Sequence, residues 1–210
     1  MLRAIIRRVP GARRIARSLG LIPRHADSRG FLLDMLPRKS VGVEIGVHKG
    51  DFSKSMLEVV RPRELHLIDP WKHEASATYK EAWYGGKANG QAEMDARYLH
   101  VCARFEREIR RGQVTIHRAC SAAAMGEFPD EYFDWVYIDG NHLYEYVKAD
   151  LELALAKTRP GGFIAGDDYT EGGWWKGGVK KAVDEFAATR AVQLVAIRND
   201  QFVFRKEPLA

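Results

Sequence analysis

Val41-Gly-Val-Glu-Ile-Gly-Val-His-Lys-Gly50 is the stretch that decides the fold. Its first five residues are a β-branched, apolar run that reads as a buried strand. Two glycines four positions apart then end the strand in a tight turn, and an amphipathic pattern begins at Asp51. Glu44, Gly46 and Gly50 make an E-x-G-x-x-x-G pattern. Gly46 permits the sharp turn and Gly50 permits a ligand to approach the start of the helix. By itself the pattern is weak, because any strand-to-helix turn favours glycine. Asp69 strengthens it, standing 23 residues beyond Gly46 at the end of the next β-rich run. A carboxylate there is placed to accept hydrogen bonds from ribose hydroxyls; its structural alternative is a turn cap before Pro70.

Outward from this stretch, short β-rich runs alternate with helical patterns, which predicts parallel strands joined by helical crossovers. The strands are expected at Val41–Ile45, Glu64–Asp69, Gln113–His117, Phe133–Asp139 and Gly162–Gly166. Helices are expected over 51–60, 91–111, 143–157 and 178–189. Leu143, Val147, Leu151 and Leu155 give the third of these a buried stripe. Val192–Ile197 and Gln201–Arg205, separated by a short polar turn, read as an antiparallel hairpin at the sheet edge. Residues 71–100 form a long polar and aromatic insertion, the kind of segment that serves as a lid or substrate-binding element.

Composition sets the class. The 210 residues suit one domain, 46% apolar and 29% charged, as in ordinary globular proteins. Cys102 and Cys120 are too few for a disulfide framework and lack zinc-like spacing. No apolar run approaches the ~20 residues of a membrane span, and a cytoplasmic enzyme is expected. The net charge of +5 is unevenly placed. Residues 1–30 hold eight arginines against Asp27 alone, a balance of +7, which leaves −2 for residues 31–210. We therefore divide the chain into a basic amphipathic extension, 1–30, and a catalytic domain, 31–210. The acidic domain argues against a nucleic-acid partner, whose footprint would lie on the domain itself. Residues 1–24 read either as a helix packed on the domain or as a peripheral membrane contact on anionic lipid; a homo-oligomer is left open.

The nicotinamide fingerprint G-x-G-x-x-G is not met, since position 44 is Glu. A ligand without a pyrophosphate needs no anion cradle, and a cationic sulfonium tolerates a carboxylate such as Glu44. Four ordered segments carry a resemblance: Val43–Phe52, Ile68-Asp-Pro-Trp-Lys72, Tyr137-Ile-Asp-Gly-Asn-His-Leu-Tyr-Glu145 and Gly161-Gly-Phe-Ile-Ala-Gly-Asp-Asp-Tyr169. Across residues 40–205 the chain resembles the class I S-adenosylmethionine-dependent methyltransferases, most nearly the small macrocin and mycinamicin sugar O-methyltransferases. The resemblance implies a Rossmann-like, mostly parallel seven-stranded sheet of order 3-2-1-4-5-7-6. It implies S-adenosylmethionine held by Glu44, Gly46 and Gly50 on the methionine side, by Asp69 on the ribose, and by Ser121 near the adenine, with Asp139 beside the methyl group.

The chemistry is expected where strands one, four and five end together. Asp139, Asp167 and Asp168 are three carboxylates suited to a hard divalent ion such as Mg²⁺, and they resemble the metal ligands of catechol-type and macrolide-sugar O-methyltransferases. Strand-end caps are their plain alternative. His142 lies three residues past Asp139, within reach of an acidified hydroxyl, and in the resembling enzymes a histidine here is the general base. Trp174 and Trp175, on a glycine-flanked loop, either stack on an acceptor or pack against the 71–100 insertion. The acceptor is expected to be a small-molecule or sugar hydroxyl. The competing readings are a metal-independent methyltransferase, an iron hydroxylase and a non-catalytic, membrane-attached binding module. Hydroxylation would want two histidines and a carboxylate together, and the sole His-x-Asp, His25–Asp27, lies outside the domain.

Overall fold

The computed structural model describes residues 26–189 and 191–208. Its elements in chain order are α1 (Ala26–Met35), β1 (Val41–Ile45), α2 (Asp51–Val59), β2 (Glu64–Ile68), a single 3-10 turn (Ala77–Tyr79), α3 (Gln91–Arg104), α4 (Glu106–Arg110) and β3 (Val114–His117). They continue with α5 (Ser121–Gly126), β4 (Phe133–Ile138), α6 (Tyr144–Lys157), β5 (Thr158–Gly166), α7 (Gly178–Ala187), β6 (Val192–Arg198) and β7 (Gln201–Lys206). Seven strands form one sheet in the order β3-β2-β1-β4-β5-β7-β6, the order expected. β1 to β5 pair in parallel, and β7 runs antiparallel to both β5 and β6. The hairpin turn, Asn199 and Asp200, has φ of 53° and 60°. Two successive left-handed residues match the twist of the flanking strands.

Strand alternation splits the core in two. Val136, Ile138, Ile164, Phe202 and Phe204 face α6 and α7, where Val147, Leu151, Val179 and Val183 cover them. Trp135, Tyr137, Leu65, Leu67 and Val203 face the other way, against Leu32, Leu33 and Leu36 of α1 and Met56 of α2. Both layers are needed because a parallel sheet buries both faces.

Three local differences from expectation have physical causes. The helix expected over 91–111 breaks at Phe105, whose ring is buried against Gly50 instead of continuing the helical face. β5 begins at Thr158 rather than Gly162, because the chain leaves α6 directly into the sheet and takes up its extra residues in a register shift against β4. Helix α1 crosses the position 30 at which the extension was expected to give way to the domain. Residues 1–25, and with them the membrane-contact reading, lie outside the described residues. Among the described residues no helix is long and apolar enough to cross a membrane.

Candidate functional site

The carboxyl ends of β1, β2, β4 and β5 converge, as those of a doubly wound sheet must at its switch point. Gly46 leaves β1 with φ of 90°, and its N–H donates to the Ile68 carbonyl at 2.8 Å. A Cβ on Gly46 would lie 1.9 Å from the Asp139 carbonyl oxygen, so the β1 turn and the β4 end touch through bare backbone. Gly50, φ 74°, starts α2, and a Cβ there would lie 2.7 Å from the Phe105 ring. Both glycines of the pattern are thus fixed by conformation and by close approach.

Asp69 follows β2 and turns its carboxylate back onto that loop. Its Oδ2 accepts from the Val47 and His48 N–H groups, each at 3.0 Å, and its Oδ1 accepts from the Trp71 N–H at 2.7 Å. Burial raises its pKa, opposed by those three donors. A carboxylate offers about four acceptor positions, and among the described residues these three backbone donors take three of them. Glu44 is 1% exposed and accepts a hydrogen bond from the Ser53 hydroxyl. Burial pushes it up to about 8, against the lowering effect of Ser53. Ser121 opens α5 and donates to Asp150, which burial pushes up to about 6.

Asp139 continues β4, its N–H donating to the Ile45 carbonyl at 2.7 Å. Asp167 continues β5 in the same way, its N–H on the Ile138 carbonyl at 3.1 Å. Asp168 has a φ of 61°, a left-handed conformation that Asp tolerates better than most side chains. His142 sits in the turn before α6, fixed by the Leu143 N–H donating to Asn141 Oδ1 at 3.0 Å. Its Nε2 lies 2.9 Å from Asp168 Oδ2 and 3.5 Å from Asp139 Oδ1. Burial pulls the imidazole down, but Asp139 and Asp168 outweigh it and push it up to about 9.

The expected carboxylate trio therefore divides. Asp139 and Asp168 gather with His142, one ligand atom from each lying within 4.8 Å of the others. Asp167 turns away: its Oδ2 accepts from Arg29 and its Oδ1 from Gln201 Nε2 and the Asp168 N–H. Burial and Asp139 raise Asp167 to about 6, with Arg29 opposing. Among the described residues the buried His142 Nδ1 has no hydrogen-bond partner, while Nε2 is paired with Asp168 outside ideal hydrogen-bond geometry. Two carboxylates and an imidazole gathered this closely suit a cation.

Aromatic rings roof this cluster. The His142 ring lies 4.8 Å from Trp175 and 6.0 Å from Trp174. Trp174 packs edge-on against Tyr79, 5.4 Å away, and Tyr84, 6.2 Å away, both from the 71–100 insertion. Asn141 Nδ2 donates to the Tyr79 hydroxyl at 2.9 Å. Trp174 thus joins the post-β5 loop to the insertion, the second of the two roles read for the pair, while Trp175 lies against His142 and Trp174. Sequence reasoning did not find Arg29, Gln201 or Asn141 for this site. Arg29 lay among eight similar arginines, and the contact it makes with Asp167 spans 138 positions.

A domain model described as a methyltransferase domain matches residues 43–169, which run from β1 through the loop after β5. The chain belongs to the methyltransferase-domain family. Among curated proteins, none matches the sequence. Solved structures share the fold at low identity. A Corynebacterium glutamicum protein is 16% identical with a TM-score of 0.63, over 100% of this chain and 97% of that one. An O-methyltransferase from Bacillus cereus, in complex with SAH, is 17% identical with a TM-score of 0.60, over 91% and 86%. An O-methyltransferase of Streptomyces achromogenes involved in tomaymycin synthesis, in complex with SAM, is 16% identical with a TM-score of 0.59, over 91% and 85%.

Proposed function

We propose that this methyltransferase moves the methyl group of S-adenosylmethionine to a hydroxyl of a small molecule or sugar, with a divalent cation assisting and His142 as the base. The observation that carries the reading is the meeting of Asp139, His142 and Asp168 beside the Gly46 turn. The sulfonium supplies an electrophilic methyl group. Glu44 and Asp69 serve the donor's ammonium and ribose, and Gly46 keeps the donor close to the end of β4. Sugar acceptors are preferred on the resemblance to macrocin-type enzymes.

A hard cation such as Mg²⁺ prefers oxygen and keeps several waters, taking one or two carboxylates. Asp139 and Asp168 meet that need, and His142 remains free to handle a proton. When bound, the ion supplies Lewis acidity that lowers the pKa of the acceptor hydroxyl. His142, whose Nε2 faces Asp139 and Asp168, would take the proton from a hydroxyl so acidified. The roof of Trp174, Trp175, Tyr79 and Tyr84 excludes water from the reacting atoms.

The test is methyl transfer from labelled donor to a panel of hydroxylated acceptors, with and without chelator. Activity lost with chelator and restored by Mg²⁺, together with a fall of about 10²–10⁴ in kcat for His142→Gln, supports the reading. Full activity in chelator removes the cation from it and favours the metal-independent enzyme. Failure of S-adenosylhomocysteine to bind wild type, with Asp69→Asn as the control, refutes the donor assignment.

A further inference from the structure

The described part of the chain contains one feature that methyl transfer by Asp139, Asp168 and His142 does not explain, a cation of its own among the site carboxylates. Arg29 reaches in from α1, the helix that spans the end of the basic extension. Its Nη2 lies 3.0 Å from Asp139 Oδ2 and also hydrogen-bonds Asp167 Oδ2. The guanidinium lies 4.8 Å above the Phe52 ring and 5.7 Å from that of Tyr137, and those two rings pack 4.6 Å apart. Tyr137 in turn donates from its hydroxyl to Gln201 Oε1, and Gln201 donates to Asp167. The arginine is held by a shelf of aromatic rings and a pair of carboxylates.

The oxygen atoms divide accordingly. Asp139 turns Oδ2 to Arg29 and Oδ1 toward His142. Asp168 turns Oδ2 toward His142. Asp167 spends Oδ2 on Arg29 and Oδ1 on Gln201 and the Asp168 N–H. Two carboxylates side by side on adjacent strands repel each other unless a cation stands between them. A planar, permanently charged fork is the side chain that can face both.

We propose that Arg29 is a built-in cation that withholds Asp167 from the metal ion and fixes the ligand set at Asp139 and Asp168. The inference rests on the cation-assisted reading of the site. Arg29 is a positioning residue, and through it the docking of α1 decides which carboxylates face the ion. Without its charge, Asp167 turns to the cation, and the site becomes a tighter, three-carboxylate trap.

The experiment is Mn²⁺ binding to the full-length, donor-free protein, followed by electron paramagnetic resonance and calorimetry. Mn²⁺ shares the oxygen preference of Mg²⁺. In the wild-type background, Asp139→Asn and Asp168→Asn are expected to raise Kd about tenfold or more, and Asp167→Asn less than about twofold. Arg29→Met is expected to tighten binding severalfold, and in that background Asp167→Asn should raise Kd about fivefold or more. Arg29→Lys, which keeps the charge, should stay near wild type and covers the case in which Arg29→Met fails to fold. Equal effects of Asp167→Asn in the two backgrounds, or an unchanged Kd in Arg29→Met, overturn the proposal. A wild-type protein that binds no Mn²⁺ while Arg29→Met does also overturns it, since Arg29 would then exclude the ion altogether. Binding indifferent to Asp139→Asn and Asp168→Asn, or absent from every variant, overturns it together with the cation-assisted reading. The donor assignment is tested separately, by S-adenosylhomocysteine binding to the wild type, and does not depend on these outcomes.

Discussion

Glu44→Gln should make the protein more stable at neutral pH, and by an amount that depends on pH in a defined way. Glu44 is 1% exposed, with burial pushing its pKa from 4.5 to about 8. The unfolded chain ionises it near 4.5, whereas the folded chain keeps its proton until about 8. The stability this carboxyl allows is therefore fully present below pH 4.5 and is lost as pH rises toward 8. Each pKa unit is worth about 1.4 kcal/mol, so the loss reaches up to about 3 kcal/mol at pH 7 and about 5 kcal/mol above pH 8. Glutamine has nearly the shape of the protonated acid, still accepts from Ser53 and carries no such penalty. For a chain of this size, 3 kcal/mol corresponds to a Tm gain of about 6–12 °C. Thermal melts of both proteins at pH 4.5, 7 and 8, without ligand, measure it. A Tm difference that is constant across these pH values, or a wild type more stable than the variant at pH 8, would refute the claim that Glu44 is buried in its neutral form.

The same proton bears on donor binding. With the donor's ammonium beside Glu44 as proposed, the carboxylate is favoured, so S-adenosylhomocysteine binding near pH 7 should release up to about one proton. Calorimetry in phosphate and in Tris should then give different apparent enthalpies, and identical ones would place the ammonium elsewhere. Gly46→Ala puts a Cβ 1.9 Å from a backbone oxygen at a φ of 90°, and should cost about 3 kcal/mol or more and abolish donor binding; denaturant unfolding with an unchanged midpoint would contradict this. Asp150 rises from 3.8 to about 6 through burial. Asp150→Asn, whose amide oxygen still accepts from Ser121, should therefore gain up to about 3 kcal/mol above pH 6 and nothing below pH 4, read from urea midpoints.

Much of the scaffold was legible in order along the chain. Val41–Ile45 announces a strand because three β-branched apolar residues and a glycine in a run of five, broken only by Glu44, suit a position buried on both faces. Gly46 and Gly50 mark a tight turn because positive φ and the close approach of Asp139 and Phe105 restrict the choice of residue locally. The left-handed pair at Asn199 and Asp200 is equally local, and with it the hairpin. The helix breaks and the start of β5 were not legible, because they depend on where Phe105 and Thr158 find their packing partners.

The sequence by itself determined the strands, the terminal hairpin and the glycine turn after β1, which follow from periodicity and from residues close along the chain. The strand order, and with it the meeting of Asp139 and His142 with Asp168, was implied by the resemblance to class I methyltransferases. Only the tertiary structure decided how the carboxylates are shared. Asp167 and Asp168 are neighbours in sequence, yet one faces Arg29 and Gln201 and the other faces His142. The partition follows from long-range electrostatics, since the arginine that fixes it comes from a helix 138 positions away and carries no local signature. A carboxylate's role here depends on which cation reaches it, and that is settled only when α1 packs on the sheet.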